Sequence, residues 1–534
     1  MKVLIVGGAG VFGSRLAELL VRDGHEVTIA GRNLKSAEGL AQRLGCHALR
    51  FDRNGDLSGL GAFDVLVDAA GPFHAYGSDP YRLAKSALEA GAHYLDLSDN
   101  AEFCVSISQL DDFAKEKGLC AISGLSSVPA LSSAAVRALV GSEIPRVIDS
   151  AILPGNRSPR GLSVMASILS QAGRPMKVWR GGAWTRANGW SGPKTYELLD
   201  GITRQGWQIS VPDLTLFPAH FKAESVHFRA GLELGVMRYG LWAFALLRQI
   251  VPIPINRPVL HGFKFAADLL SPFGSGRGGM SVMVVVGEER RFWRLLAEDG
   301  DGPFIPAIAV RALLRREGLP FVAGPALEAI TLDDAEAAMS DLKVRTERVN
   351  EPFVPLLSHV LKEDFEKLPE AIQATHKTAD ISRWKGRANV RRGDSLFARA
   401  LALIFGFPPS ADGTEVEVTK ELTQGGETWH RNFGGRRFRS LLSATPEGVT
   451  ESFGLFHFLL GLNVQGNELH YPILSGRLGP FPLPKWLLPI SEARENVHEG
   501  RFHFDIKLSA PITRKLLVHY TGDLEPMKTQ YGAK

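Results

Sequence analysis

Cysteine is scarce in this chain. Three residues in 534, Cys46, Cys104 and Cys120, are too few and too scattered for a disulfide framework or a zinc cluster, and they point to a reducing compartment. Long apolar runs are missing as well. No stretch reaches the ~18 residues that a spanning helix needs. Charge of one sign is not in excess: a formal net charge of +4 is small for this length and argues against a dedicated nucleic-acid binder. There is no Walker motif, no G-x-S-x-G and no H-E-x-x-H. His470, His503 and His519 do not stand at metal-ligand spacing, so no metal is expected. The apolar run after Lys2 stops at Gly7, too early for the core of a signal peptide. What remains is a multidomain globular protein expected in the cytoplasm, with 45% hydrophobic and 22% charged residues and more length than one core can use.

Glycine, by contrast, is concentrated where it carries meaning. Residues 2–6 form a short apolar run with the character of a fully buried parallel strand. Gly7, Gly8, Ala9 and Gly10 follow, then a helix with Leu16, Leu19 and Leu20 on one face, then a second strand at 27–30. Gly8, Gly10 and Gly13 make G-x-G-x-x-G between strand and helix. In this setting the first glycine permits the tight turn, the second lets a pyrophosphate approach the backbone, and the third lets the helix pack on the strand. The phosphates then sit at a helix N-terminus, where N–H groups and the macrodipole favour an anion. Gly7, Val11 and Phe12 belong to the same cradle.

The end of the second strand selects the dinucleotide. An acid there would bond the ribose 2′-OH of NAD; this chain has Gly31-Arg32-Asn33. A guanidinium suits a 2′-phosphate, so Arg32 and Asn33 predict NADP(H), with Lys35 and Ser36 as further contacts. The alternative for Arg32 is a solvated loop arginine. A third strand at 48–51 ends at Asp52, which either borders the adenine or caps a turn. A fourth strand, DVLVDAA, runs into Ala70-Gly71-Pro72, and that loop should border the cofactor. A fifth, HYLDL, ends at Ser98-Asp99, and a sixth covers 119–123.

In order and spacing, GGAGVFG, AGRN, AAGPF and GAHYLDLSD resemble the saccharopine dehydrogenase-like reductases. A later echo, Gly302-Pro303-Phe304 followed by a helix and Gly324-Pro325-Ala326, resembles the helix and tail closing that family's second domain. The resemblance spans about residues 1–345 and is specific over the first 130. It implies an NADP(H)-binding Rossmann domain followed by an α+β domain. Two departures stand at the substrate end. The family often has Gly-Glu where this chain has Asp99-Asn100, and its glycine after the proline is Ala130 here, following Pro129. Saccharopine is therefore not carried over as substrate. The tail resembles, through WHRNFGGRRFRS and LPKWLLP, an uncharacterised domain that recurs behind such reductases.

The expected fold class is α/β: a Rossmann domain at 1–130, an α+β substrate domain at 131–348, and a mostly antiparallel β domain at 370–534 whose period-two alternation starts at Thr414. Within the second domain, 231–270 is unusual, because LWAFALLRQIVPIPI is almost wholly apolar. It reads equally as a buried helix or as an interfacial element meeting lipid, and it is too short to span a membrane. His430, Arg431, Arg436, Arg437 and Arg439 form a basic group that either binds an anionic head group or lies on a solvated sheet face.

Hydride transfer needs no protein nucleophile, only orientation and a proton. The candidate proton donors are His74, Tyr76, Asp96 and Ser98, with backbone hydrogen bonding as the plain alternative for His74 and Asp96. The reading is an NADP(H)-dependent oxidoreductase with a hydrophobic or lipid-like small-molecule substrate and, on the interfacial reading of 231–270, peripheral membrane contact. Its rival is a non-catalytic NADP(H)-binding regulator whose C-terminal domain docks a partner or membrane.

Overall fold

A computed structural model describes residues 1–527; residues 528–534 of the expected C-terminal domain lie outside the described residues. Two compact units form. The first holds Met1–Trp179 and Trp184–Glu351, and the second runs from Pro352 and includes Arg180–Ala183.

The first unit contains two sheets. Strands β1 (Lys2–Val6), β2 (Glu26–Gly31), β3 (His47–Arg50), β4 (Val65–Asp68), β5 (His93–Asp96) and β6 (Ala121–Ser123) line up in the order 3-2-1-4-5-6, all parallel. Helices on both faces explain why β1 and β4 are apolar along nearly their whole length. Helices α1 (Val11–Arg22) and α2 (Leu34–Leu44) make the first two crossovers. A seventh strand, Ala323–Pro325, adds in parallel beside β6. The Gly324-Pro325 echo thus extends the first sheet and does not close the second. Arg311, 2% exposed, secures this return of the chain by donating to Asp23, just beyond α1, at 2.9 and 2.8 Å, and to Asp341. Burial alone would raise Asp23, but the Arg311 and Arg315 guanidinium groups hold its carboxyl well below the usual range.

The second sheet is mixed. Val147–Leu153 runs parallel to Ser225–Gly231 and antiparallel to Gly278–Val286, and one apolar core, from Val3 through Leu131 to Trp293, serves both sheets. The apolar segment forms two helices, Gly235–Ile250 and Arg257–Leu270, locked together by Phe244 against Phe263 at 4.9 Å. Full burial fails as a reading. Ile250 is 84% exposed and Phe265 70%, while only Leu241, Ala245, Arg248 and Ala267 of the pair are buried.

The second unit is a 13-stranded sheet in which every described pairing is antiparallel. It begins at Ile381, not Thr414: Ile381–Arg392 pairs with both Ala411–Thr423 and Leu516–Pro526. Its inward positions include Gly386 and Ala388, and its outward ones Lys385 and Arg387, so the alternation is weak in sequence although the strand is central. The sheet curls on itself. Glu468–His470 pairs with Ile490–His498, and three residues later Ile473–Leu478 pairs with Phe456–Leu460, so one short segment bridges the two sides. Tyr471 N donates to Ala493 O (2.9 Å) and Pro472 O accepts from Gly461 N (2.8 Å), completing that bridge.

Candidate active site at the carboxyl edge of the first sheet

The β1–α1 turn is fixed by its own backbone. Gly7 adopts φ +74°, and a Cβ there would stand 2.6 Å from Ala70 Cα; a Cβ on Gly13 would stand 2.4 Å from Gly7 O. Only glycine fits either place. Gly10 is the N-cap of α1 and offers no capping side chain, which leaves the first-turn N–H groups for another acceptor. That helix end opens on a cavity of 890 Å³ along the carboxyl edge of the sheet. Its size falls within the ~300–1,000 Å³ typical of cofactor sites, and its position is where open parallel sheets hold ligands.

Most of the residues singled out from sequence meet there. Gly7, Gly10, Val11, Phe12, Arg32, Asn33, Asp52, Ala70, Gly71 and Pro72 line the cavity. Gly8 lies beneath the turn against Ile5 O and Ile29, and Gly13 behind it against Gly7 O. Arg32 is exposed to the cavity space, while Asn33 Oδ1 caps α2 by accepting from Ser36 N (3.3 Å). Asp52 Oδ1 accepts from Asn54 N (3.0 Å), which is the turn-capping alternative, although the residue also faces the cavity. An uncapped helix N-terminus, a glycine cradle and a guanidinium beyond the second strand together fit a dinucleotide phosphate.

The four proton-donor candidates are placed differently. His74 is exposed and off the cavity wall. Tyr76 is on the wall, but its hydroxyl donates inward to the Asp68 carboxylate at 3.1 Å, and the Arg53 guanidinium lies 3.0 Å from its ring centroid. Burial and Asp68 push the Tyr76 phenol far up. Asp96 is fully buried, accepting from Ser98 N (2.9 Å), Gly124 N (2.8 Å) and Ser123 Oγ (2.9 Å). It stands opposite Asp68 in the β4–β5 register, and burial pushes its pKa up to about 7 against those hydrogen bonds. Ser98 is buried and accepts from Asn100 N (3.2 Å).

Sequence reading passed over Asp99, Arg53 and the segment 161–164, all of which line the cavity. Asp99 had a signal, since it follows β5 at the ligand-bearing edge. It is exposed to solvent and accepts from Ser167 Oγ at 3.2 Å on helix Leu162–Gln171; crowding by the surrounding loops raises its pKa, while Ser167 and the nearby charge of His74 act the other way. Segment 161–164 had none, because it reaches the site only through the tertiary fold. A Cβ on Gly161 would lie 3.5 Å from Val11.

The basic group of the tail separates. Arg431 points into the curled sheet and pairs with Glu451 at 3.1 Å, whereas His430 and Arg439 stand opposite one another on alternate positions facing outward. Arg436 lies at the rim, donating to Gly406 O. Among the described residues no group of three or more His, Cys, Asp or Glu could hold a metal ion, and no helix is long and apolar enough to cross a membrane.

Residues 3–122 match the family model of the saccharopine dehydrogenase NADP binding domain, and residues 368–524 match a domain of unknown function, DUF4166. Both stand where the sequence motifs placed them. No curated protein matches the chain. Among solved structures, the chain is similar to saccharopine dehydrogenase (L-Glu forming) from Saccharomyces cerevisiae, with 15% identity over 65% of this chain and 99% of that one, at TM-score 0.46. It is also similar to a probable dehydrogenase from Thermotoga maritima, with 11% identity over 69% and 97%, at TM-score 0.31. The family match at residues 3–122 supports a nicotinamide dinucleotide cofactor and, more broadly, an NAD(P)-dependent oxidoreductase.

Proposed function

We propose that the chain is an NADP(H)-dependent oxidoreductase acting on a hydrophobic small molecule. The carrying observation is Arg32, which occupies the position of the ribose-binding acid and opens on the cavity beside the N-terminus of α2. Gly7, Gly10 and the first turn of α1 would hold the pyrophosphate. Arg32, Asn33 and Ser36 would hold the 2′-phosphate. The bound cofactor supplies the hydride. Asp99 is the residue suited to exchanging a proton with substrate, since it faces the cavity and its carboxyl is exposed there. Ser167 orients it. Tyr76 and Asp96 serve as structural supports, committed to Arg53 and Asp68 in one case and to backbone N–H groups in the other.

The substrate class rests on the apolar helix pair. It packs on helix Leu162–Gln171, whose first residues line the cavity, so an apolar surface leads toward the site. The exposed Ile250 and Phe265 suit contact with lipid, which is where such substrates dissolve. Co-sedimentation with phosphatidylcholine–phosphatidylserine vesicles, lost in Ile250→Glu/Phe265→Glu without a change in melting temperature, is the expected result. No sedimentation of the parent protein ends the lipid reading.

Function is tested by NADPH consumption against a panel of hydrophobic ketones, enals and imines, with Asp99→Asn beside the parent. Turnover that falls on substitution while NADPH affinity holds supports the assignment. NADPH binding without turnover of any compound in the panel favours the regulatory reading, which the inward turn of Tyr76 and the position of His74 off the wall also favour.

A further inference from the structure

The curled sheet of the second unit holds a cavity of 170 Å³ that no step of the proposed reaction uses. Protein interiors are close-packed, and voids larger than a water molecule are few. This one is comparable in size with an engineered apolar cavity of ~150 Å³ that takes up benzene. Its wall is contributed by strands from both sides of the sheet, with Phe433, Phe453, Phe458, Phe502 and Phe504 among the lining residues. Helix Leu396–Phe405 covers one end through Leu401 and Phe405, whose ring packs on Phe453 and Phe456. Behind the lining residues Lys420 and Glu495 stands helix Glu370–His376, where Thr375 O accepts from Lys420 Nζ (2.6 Å) and His376 Nε2 meets Glu495 at 2.7 Å.

Charged side chains reach into this apolar space, but none arrives alone. Arg431 donates to Ser440 Oγ (2.7 Å) and to Glu451 (3.1 Å). Lys420, 2% exposed, lies 3.9 Å from the Trp429 ring centroid and in the field of Glu495 and Glu427. Lys420 and Arg431 thus face three acids, Glu427, Glu451 and Glu495. An ionised carboxylate or phosphate entering here would be buried beside an excess of negative charge, and an ammonium would have to give up its hydration in a mostly apolar space. A hydroxyl or carbonyl could share hydrogen bonds with this end at no charge cost.

We propose that this cavity is a binding site for an uncharged small molecule with an apolar body of about six to eight carbons and one hydroxyl or carbonyl group, the polar group directed to the Arg431–Glu451 and Tyr471 end. The site is independent of the dinucleotide cavity and needs no cofactor.

The test uses three probes of one shape on the full chain by isothermal titration calorimetry without NADP(H): benzyl alcohol, toluene and benzoate at pH 8. Benzyl alcohol should bind tightest, toluene several-fold more weakly, and benzoate at least ten-fold more weakly. Ile506→Trp, which fills the cavity, should abolish all binding. Leu508→Phe is the gentler filler and should weaken it at least ten-fold, with the melting temperature of each variant measured alongside. Failure of all three probes to bind the parent protein overturns the proposal. So does binding that survives both filling substitutions in folded protein, or benzoate binding more tightly than benzyl alcohol.

Discussion

The two cavities of this molecule are built in opposite ways. The larger one, 890 Å³, is framed largely by backbone at strand ends: a glycine turn, one helix N-terminus and the loops after neighbouring parallel strands, with segment 161–164 laid across them. The smaller one, 170 Å³, is framed by side chains from strands spread between Val418 and Leu524, brought together when the sheet curls. Backbone cavities depend on conformations that one or two residues permit. Side-chain cavities depend on alternation kept over a hundred residues and on buried charges finding one another. The first kind should therefore break sharply at single glycines and the second should fail through packing and desolvation.

The sharpest way to break this comparison is at Gly13. A side chain there meets Gly7 O at 2.4 Å, so Gly13→Val should lower NADPH affinity on the order of a hundred-fold by displacing α1 from β1. Binding of benzyl alcohol in the second unit should stay as it is. Fluorescence titration of NADPH beside calorimetry of the alcohol reads both effects, and loss of both would mean the units do not act separately. The converse is Arg431→Met, which leaves the half-buried Glu451 with Ser440 Oγ (2.7 Å) in place of its ion-pair partner. A cost of about 1–3 kcal/mol to the second unit is expected from removing a charged hydrogen-bond partner, seen as a lowered denaturation midpoint with unchanged NADPH affinity.

A smaller effect sharpens the account of the backbone cavity. NADPH should bind more tightly than NADH, and Arg32→Asp should cost NADPH at least about ten-fold, because a charge-assisted contact to phosphate contributes roughly 1.5–3 kcal/mol. Equal affinities for the two cofactors in the parent protein would remove Arg32 from the site. An effect read through pH alone is expected at Asp213, buried in the first unit, whose pKa burial pushes up to about 7. Its folded value exceeds its unfolded one, so the folded state holds a proton that the unfolded chain releases. Stability from this group falls as pH rises from about 4 to 7. Asp213→Asn should match the parent near pH 4 and melt a few degrees higher at pH 8. A gain in melting temperature that is equal at both pH values would show that the carboxyl is not the cause.

Legibility from sequence followed the same division. Gly7, Gly10, Arg32, Asp52 and Gly71 were readable because each occupies a fixed distance from a strand end, and a parallel strand end is where the cavity lies. Asp99 was within the same logic and was passed over in favour of Asp96, which is buried at the last position of β5, whereas Asp99 lies in the loop beyond the strand end that lines the cavity. Strand Ile381–Arg392 was hidden because small inward residues, Gly386 and Ala388, carry little hydrophobic signal even at the centre of a sheet. Arg431 looked like part of a solvated basic face because sequence shows alternation but not which side is inside.

Local sequence alone determined the first sheet and the glycine turn at its carboxyl edge, because these depend on backbone conformations and spacings within about thirty residues. Only the tertiary structure decided three other things. It exposed the apolar helices Gly235–Ile250 and Arg257–Leu270 when composition allowed burial equally well. It laid segment 161–164 across the cofactor cavity. It closed the C-terminal sheet around Lys420, Arg431 and Glu495. Each of these depends on which surfaces distant parts of the chain cover, and burial is a property of the packed whole that no single segment encodes.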